Sequence, residues 1–153
     1  MVLLPSRGTL FPHPLAVEGH IVAMSRSLDI ERLKSAYLHG IFPWYNEREP
    51  VLWWFPKPRA VLFPSSLRVH KSMRSLINRR PWSISWDRAF KEVIRNCAEV
   101  PRKGQRGTWI TPQMQARYIE LHQLGWAHSV EVWEGDVLVG GLYGVLVGRV
   151  FFI

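Results

Sequence analysis

The sequence predicts an α+β fold, with a small N-terminal α/β module over residues 1–58 and a second domain over residues 59–153 that ends in an antiparallel meander. Three observations carry this. Apolar residues recur at helical spacing in four separate stretches, the last of which ends near Gly125. After it come alternating runs, Ser129-Val-Glu-Val-Trp133 and Val137-Leu-Val139, joined by the turn Glu134-Gly135-Asp136. Pro43, Pro50, Pro56 and Pro58 keep the intervening region out of helix, because proline lacks an N–H and its ring clashes with the preceding turn. The boundary between the two domains is expected between Pro56 and Arg59.

Taken in order, residues 1–19 are rich in Pro and Gly and read as irregular. Ser27-Leu28-Asp29-Ile30-Glu31-Arg32 is a helix start, followed by Leu33, Ala36 and Tyr37 on one face and by Gly40 as a stop. Ala60-Val61-Leu62-Phe63 reads as a short strand ended by Pro64. From Leu67 to Ile77, residues Val69, Met73, Leu76 and Ile77 form an apolar stripe able to pack on the domain. Trp82-Ser-Ile-Ser-Trp86 alternates like a half-buried strand, and Asp87 is placed to cap a helix carrying Phe90, Val93, Ile94 and Cys97. Val100 to Arg106 is a basic loop. Thr111-Pro112 opens a helix with Met114, Tyr118 and Leu121 on one face, since a proline in the first turn forfeits no hydrogen bond. Gly140-Gly141 loosens the meander, and Gly148-Arg149 turns the chain into Val150-Phe-Phe-Ile153.

The net charge of +8, from 20 Lys and Arg against 12 Asp and Glu, points to a polyanionic partner. No apolar run approaches the ~20 residues that span a bilayer, so nucleic acid is the expected partner rather than a membrane. The single cysteine, Cys97, excludes an internal disulfide and fits a reducing, cytoplasmic setting; it reads as a buried helix residue. There is no phosphate-binding Gly-x-x-x-x-Gly-Lys loop, no Gly-x-Ser-x-Gly elbow, and no zinc spacing among the six histidines. No metal site is expected.

Two positive signals remain. Arg68, Lys71 and Arg74 lie largely off the apolar stripe of the second helix, and Arg79, Arg80, Arg102, Lys103 and Arg106 extend the cluster. Together they suit phosphates, in salt-sensitive contacts that carry little sequence information. Of the eight tryptophans, Trp44, Trp53, Trp54 and Trp109 sit in or beside loops, where flat rings can stack on bases or close an apolar pocket. For Trp53 and Trp54 the pocket and core readings stay open.

The runs Ala36-Tyr37, Gly40-Ile-Phe-Pro-Trp44, Leu52-Trp-Trp54, Pro56-x-Pro-Arg-Ala-Val61, Ser72-Met73, Gly107-Thr-Trp-Ile-Thr111, Tyr118, Leu121-His-x-Leu-Gly125, Ala127-His-Ser-Val-Glu-Val-Trp133 and Leu138-Val-Gly-Gly-Leu-Tyr-Gly144 occur in this order between Phe11 and Phe152. The set resembles the leucyl/phenylalanyl-tRNA–protein transferases. The resemblance implies a small N-terminal domain joined to a GNAT-like acyltransferase domain that needs no metal or organic cofactor. It also implies transfer of leucine or phenylalanine, less often methionine, from aminoacyl-tRNA to the N-terminal Arg or Lys of proteins, marking them for degradation in the N-degron pathway. The chain itself is expected to be a cytoplasmic monomer. Carried over, the substrate-binding positions are Trp44, Trp109 and Tyr118, with Trp53 and Trp54 beside them. The tRNA-facing positions are Lys71, Arg74, Arg79 and Arg80.

Two departures from the family pattern accompany the match. Ser25-Arg26-Ser27-Leu28 stands where the family has Gly-Gly-Asp-Leu. Where the family continues past Val150-Phe151-Phe152 into Gly-Glu-Ser-Met-Phe-Ser, this chain has Ile153. The resemblance therefore implies a C-terminally truncated member whose catalytic residues are expected beyond Ile153 and whose acyltransferase domain is incomplete. Little or no transfer is expected from it, and poor stability, because Val150–Ile153 would form an unprotected edge. The alternatives are a non-catalytic tRNA-binding remnant and an incomplete gene product without a role of its own.

Overall fold

The computed structural model describes residues 1–6, 8–79, 81–101 and 108–153, and it is α+β as expected. The elements in chain order are β1 (Val2–Leu3), β2 (Ile21–Ser25), α1 (Ile30–Leu38), β3 (Phe42–Pro43), β4 (Val51–Trp54), α2 (Lys71–Arg79), β5 (Ser83–Trp86), α3 (Phe90–Glu99), α4 (Pro112–Gln123), β6 (Ala127–Glu134), β7 (Val137–Val147) and β8 (Val150–Phe152). They form two four-stranded sheets, in the orders β1-β2-β4-β3 and β5-β6-β7-β8. The second is antiparallel throughout, which is the expected meander, with β7 running unbroken through Gly140-Gly141 and β8 last in the order.

The helix termini follow the local chemistry. The Asp29 carboxylate accepts from the Arg32 N–H at 2.8 Å and starts α1. At its end Gly40 takes φ 71°, so that its N–H reaches Tyr37 O while the Ile41 N–H reaches Ala36 O. The same closure ends α4, where Gly125 has φ 75° and the Trp126 N–H reaches Leu121 O. Thr111 Oγ1 accepts from the Met114 N–H and caps α4.

One buried cluster joins the halves. Val22, Ala23, Leu33, Tyr37, Val51 and Trp53 meet Phe90, Ile94, Met114, Tyr118, Leu121 and Val145. Burying such side chains stabilises by about 1.5–3 kcal/mol each relative to exposure.

Several expectations are corrected. Residues 60–63 form no strand: Val61, Leu62 and Phe63 are exposed and find no neighbouring strand to pair with. Strand β1 lies within residues 1–19, which read as irregular, and β3 and β4 lie in the proline-containing region after Gly40; pairing within the first sheet orders all three. The apolar stripe of α2 does not pack on the domain, since no α2 residue is buried. In β5 the alternation is present but its sense is reversed. Ile84 and Trp86 are exposed, while Ser85 turns inward opposite Glu131.

Asp87 does not cap α3. It sits at φ 58° and accepts from the Ser129 N–H at 2.8 Å and contacts His128 Nδ1 at 2.7 Å. The N–H groups of Arg88 and Ala89, just ahead of α3, are met from the neighbouring strand β6 by the Glu131 carboxylate. Cys97 lies on α3, half-buried rather than buried.

Candidate functional site

A seam of tyrosines runs where α1, the residues after β3, α4, β7 and β8 come together. Tyr37 on α1 and Tyr118 on α4 share a hydrogen bond of 2.5 Å between their hydroxyls, with rings edge to face at 6.4 Å. Tyr143 on β7 meets Tyr118 at 5.6 Å, and Phe152 on β8 meets Tyr37 at 5.3 Å. Tyr45 donates to Gln113 Oε1 at 2.7 Å and so ties the chain after Trp44 to the first turn of α4. Trp109, just ahead of that turn, packs half-buried against the same core.

These phenols are held neutral. Burial pushes Tyr37 up to about 12, only partly offset by the hydrogen bond with Tyr118 and the charge of Arg59. Burial, with Tyr37 and Tyr143 nearby, holds Tyr118 well above the ordinary phenol value. Near neutral pH the pair can therefore donate and accept hydrogen bonds but cannot act as a phenolate base.

The tryptophans divide by strand alternation. Ile41, Pro43 and Tyr45 are buried, whereas Phe42 is half-buried and Trp44 is 49% exposed. On β4, Val51 and Trp53 are buried while Leu52 and Trp54 are half-buried. Trp53 is a core residue with no exposed surface. Phe11 packs edge to face on it at 5.0 Å, and its indole N–H is taken by Ser25 Oγ at 2.9 Å. Ser25 in turn donates to Ser27 O, so the departure at Ser25-Arg26-Ser27 supplies a partner for a buried indole. Trp54 instead joins Trp44, with ring centres 5.3 Å apart and the Trp54 indole donating to Trp44 O.

The structure thus brings Tyr118 and Trp109 to one core and pairs Trp44 with Trp54 on the other side of the β3–β4 ribbon. Among the described residues no ring contact joins the two groups. Lys71, Arg74 and Arg79 are all exposed on α2. Arg80, Arg102, Lys103 and Arg106 lie outside the described residues, as does Gly107.

Sequence reasoning did not single out Tyr37, Tyr45 or Tyr143 as site residues. Tyr37 shares a helical stripe with Leu33 and Ala36, and periodicity cannot separate a core ring from a site ring. Of the histidines, His122 bonds through Nδ1 to Ala127 O and His128 through Nδ1 to Asp87. Among the described residues, no three His, Cys, Asp or Glu side chains are grouped to hold a metal ion, and no helix is long and apolar enough to cross a membrane.

Residues 61–153, more than half of the chain, match the family model described as leucyl/phenylalanyl-tRNA protein transferase, and residues 26–57 match that of its N-terminal domain. The leucyl/phenylalanyl-tRNA–protein transferase of Flavobacterium johnsoniae is 53% identical over 136 residues, which are 89% of this chain and 64% of the relative. That of Christiangramia forsetii is 52% identical over 134 residues, covering 88% and 63%. That of Anaeromyxobacter sp. strain K is 50% identical over 147 residues, covering 95% and 63%. The chain thus spans less than two thirds of the length of these relatives. With two family models matched in succession along its length, it belongs to the leucyl/phenylalanyl-tRNA–protein transferase family.

Proposed function

We propose that this chain carries the tRNA-end portion of an aminoacyltransferase that moves leucine or phenylalanine, less often methionine, from aminoacyl-tRNA to the N-terminal Arg or Lys of acceptor proteins, in the cytoplasm and within the N-degron pathway. The observation that supports it most is the family match over residues 26–57 and 61–153. The aromatic residues then take the roles that the resemblance gives them. Trp44, with Trp54 beside it, offers an open indole surface to the acceptor end, while Tyr118 and Trp109 shape the inner wall. Trp53 contributes by holding β4 from within the core.

The reaction asks little acid–base chemistry of the protein. The acceptor's α-amine attacks the ester carbonyl carbon, a C–N bond forms, and the C–O bond to the terminal ribose breaks. The amine loses a proton and the ribose oxygen gains one. An α-amine has a pKa of about 8, so a useful fraction is neutral near neutral pH, unlike a lysine side chain at ~10.4. Holding amine and ester together therefore supplies much of the rate. Pocket shape discriminates a methylene by only ~1–3 kcal/mol, which accounts for leakage to methionine. The GNAT-like framework remains part of this reading.

Labelled phenylalanine on tRNA, incubated with a peptide beginning with Arg and with the chain joined to the segment expected beyond Ile153, taken from the Flavobacterium johnsoniae relative, tests it directly. Transfer to that peptide but not to one beginning with Ala supports the reading, and transfer to neither counts against it. A second reading, tRNA binding without turnover, is favoured by α2, whose basic residues are exposed and which adds nothing to the core. Salt-dependent tRNA binding with no labelled peptide would select it.

A further inference from the structure

We infer that Arg59 is a phosphate-binding residue, set at the edge of an aromatic face formed by Phe42, Trp44 and Trp54, and that together they hold the unpaired end of an RNA strand. The register supplies the face. Phe42 pairs with Trp54, and the Trp44 N–H bonds to Leu52 O, so alternation places Phe42, Trp44, Leu52 and Trp54 on one side and Trp53 on the other. The rings of Trp44 and Trp54 lie 5.3 Å apart, and Trp44 is 49% exposed. Exposed indoles of this kind bind bases of any sequence through their faces.

Arg59 supplies the charge. Its guanidinium lies over the Phe42 ring at 5.2 Å and the Phe55 ring at 6.0 Å, and its Nη1 donates to Gly40 O at 3.3 Å. A guanidinium has five N–H donors, so one bond to a carbonyl leaves most of them for a ligand. The ion pairs among the described residues join other groups, and Arg59 itself is exposed. Its charge reaches Tyr37, where it favours the ionised phenol against burial, which puts Arg59 beside the tyrosine seam as well as the indole face.

Rigidity separates Arg59 from the exposed cations of α2. A lysine on an open helix face must be ordered when it binds, whereas a planar guanidinium seated on two rings and a carbonyl is ordered beforehand. The ligand is single-stranded because indole faces stack only on bases freed from a duplex. This inference rests on the transferase reading for the source of the RNA, an aminoacyl-tRNA end, but not for the binding itself.

The test is titration of the chain with a short unstructured RNA oligonucleotide, followed by tryptophan fluorescence at several salt concentrations. Arg59→Ala is expected to weaken binding about tenfold, as for loss of one charged hydrogen-bonding contact. It should also lower the slope of log affinity against log salt by about 0.7, the value per phosphate for single strands. Arg59→Lys should keep the slope and lose part of the affinity. Arg149→Ala, which removes the same charge at the β7–β8 turn, should leave both near the wild-type values. If Arg59→Ala loses its structure by circular dichroism, Arg59→Gln keeps a donor for Gly40 O and carries the same comparison. Wild-type affinity and slope in the uncharged variant, or no binding of the oligonucleotide by the wild type, would overturn the inference. A chain that binds the oligonucleotide through Arg59, yet transfers no amino acid even when joined to the segment expected beyond Ile153, would sink only the transferase reading.

Discussion

Helices α1 and α2 are both nine residues long and both amphipathic, yet only one of them is part of the core. α1 buries Arg32, Leu33, Ala36 and Tyr37, whereas α2 buries nothing. The difference lies in what faces each stripe. α1 is capped by Asp29, is closed by Gly40, and lays its apolar side against β3, α4 and β7. Its buried Arg32 donates from Nε and Nη2 to the carbonyls of Pro5 and Gly8, while Nη1 has no partner among the described residues. On α2, Met73 and Ile77 are 51% and 54% exposed, and the flanking residues 61–68 are exposed as well. Periodicity thus identifies a helix, and only the presence of a complementary surface decides whether its stripe stabilises anything.

The widest test of this contrast is a pair of truncations. Leu33→Ala on α1 should cost about 2–5 kcal/mol by urea denaturation, because it removes buried methyl groups and leaves a cavity. Ile77→Ala on α2 should stay within about 0.5 kcal/mol. Equal losses would mean that α2 packs in solution.

A somewhat smaller loss is expected at the start of α3, which is anchored by a carboxylate. Burial raises the Glu131 pKa, but hydrogen bonds from Ser129, Ser85, Ala89 N and Arg88 N together bring it below its ordinary 4.5. A depressed carboxylate contributes stability that is present above its unfolded pKa and lost as pH falls through the lower folded value. Wild-type stability should therefore drop below pH 4.5, and Glu131→Gln should flatten that drop. Glu131→Ala, which strands both serine hydroxyls and two N–H groups, should cost about 2–3 kcal/mol at neutral pH.

Tyr37→Phe should cost about 1 kcal/mol, since it removes one buried hydrogen bond and leaves the Tyr118 hydroxyl without it. The Tyr37 phenol has its pKa raised from 10.0 to about 12, so its contribution is complete below pH 10 and fades as pH rises toward 12. The variant should show a shallower alkaline loss in the same urea series. At the small end for stability, Lys71→Ala and Arg74→Ala should move the urea midpoint by less than about 0.5 kcal/mol equivalent. Each should nonetheless lower the salt slope of tRNA binding by about 0.9, if α2 is free to meet a duplex backbone. An unchanged slope in both would remove α2 from the RNA-binding surface.

Much of the fold was legible where a local signal has one physical meaning. The helix starts within Ser27–Arg32 and at Thr111-Pro112, the Gly40 and Gly125 stops and the meander turns all appear as expected. The first sheet was much less legible. β3 has two residues and β4 four, and β2 (Ile21–Ser25) follows a segment rich in proline and glycine. Strands so short are stable only through their neighbours, and no local pattern names a neighbour. Asp87 shows the same limit, because its backbone geometry draws its carboxylate to Ser129 while Glu131 from the next strand serves α3.

The family, the four helices and the order of the meander could all be read from local signals, since motifs, helix starts and turns act over a few residues. Tertiary structure alone decided which tryptophans are core and which are surface. Trp53 and Trp54 are adjacent and chemically identical, but successive side chains of a strand point to opposite faces. Once β4 is paired between β2 and β3, one indole must enter the core against Phe11 while its neighbour joins Trp44 beyond it. Beside the same ribbon Arg59 comes to lie over Phe42, and the meeting of α1 with α4 sets Tyr37 against Tyr118, residues remote in sequence.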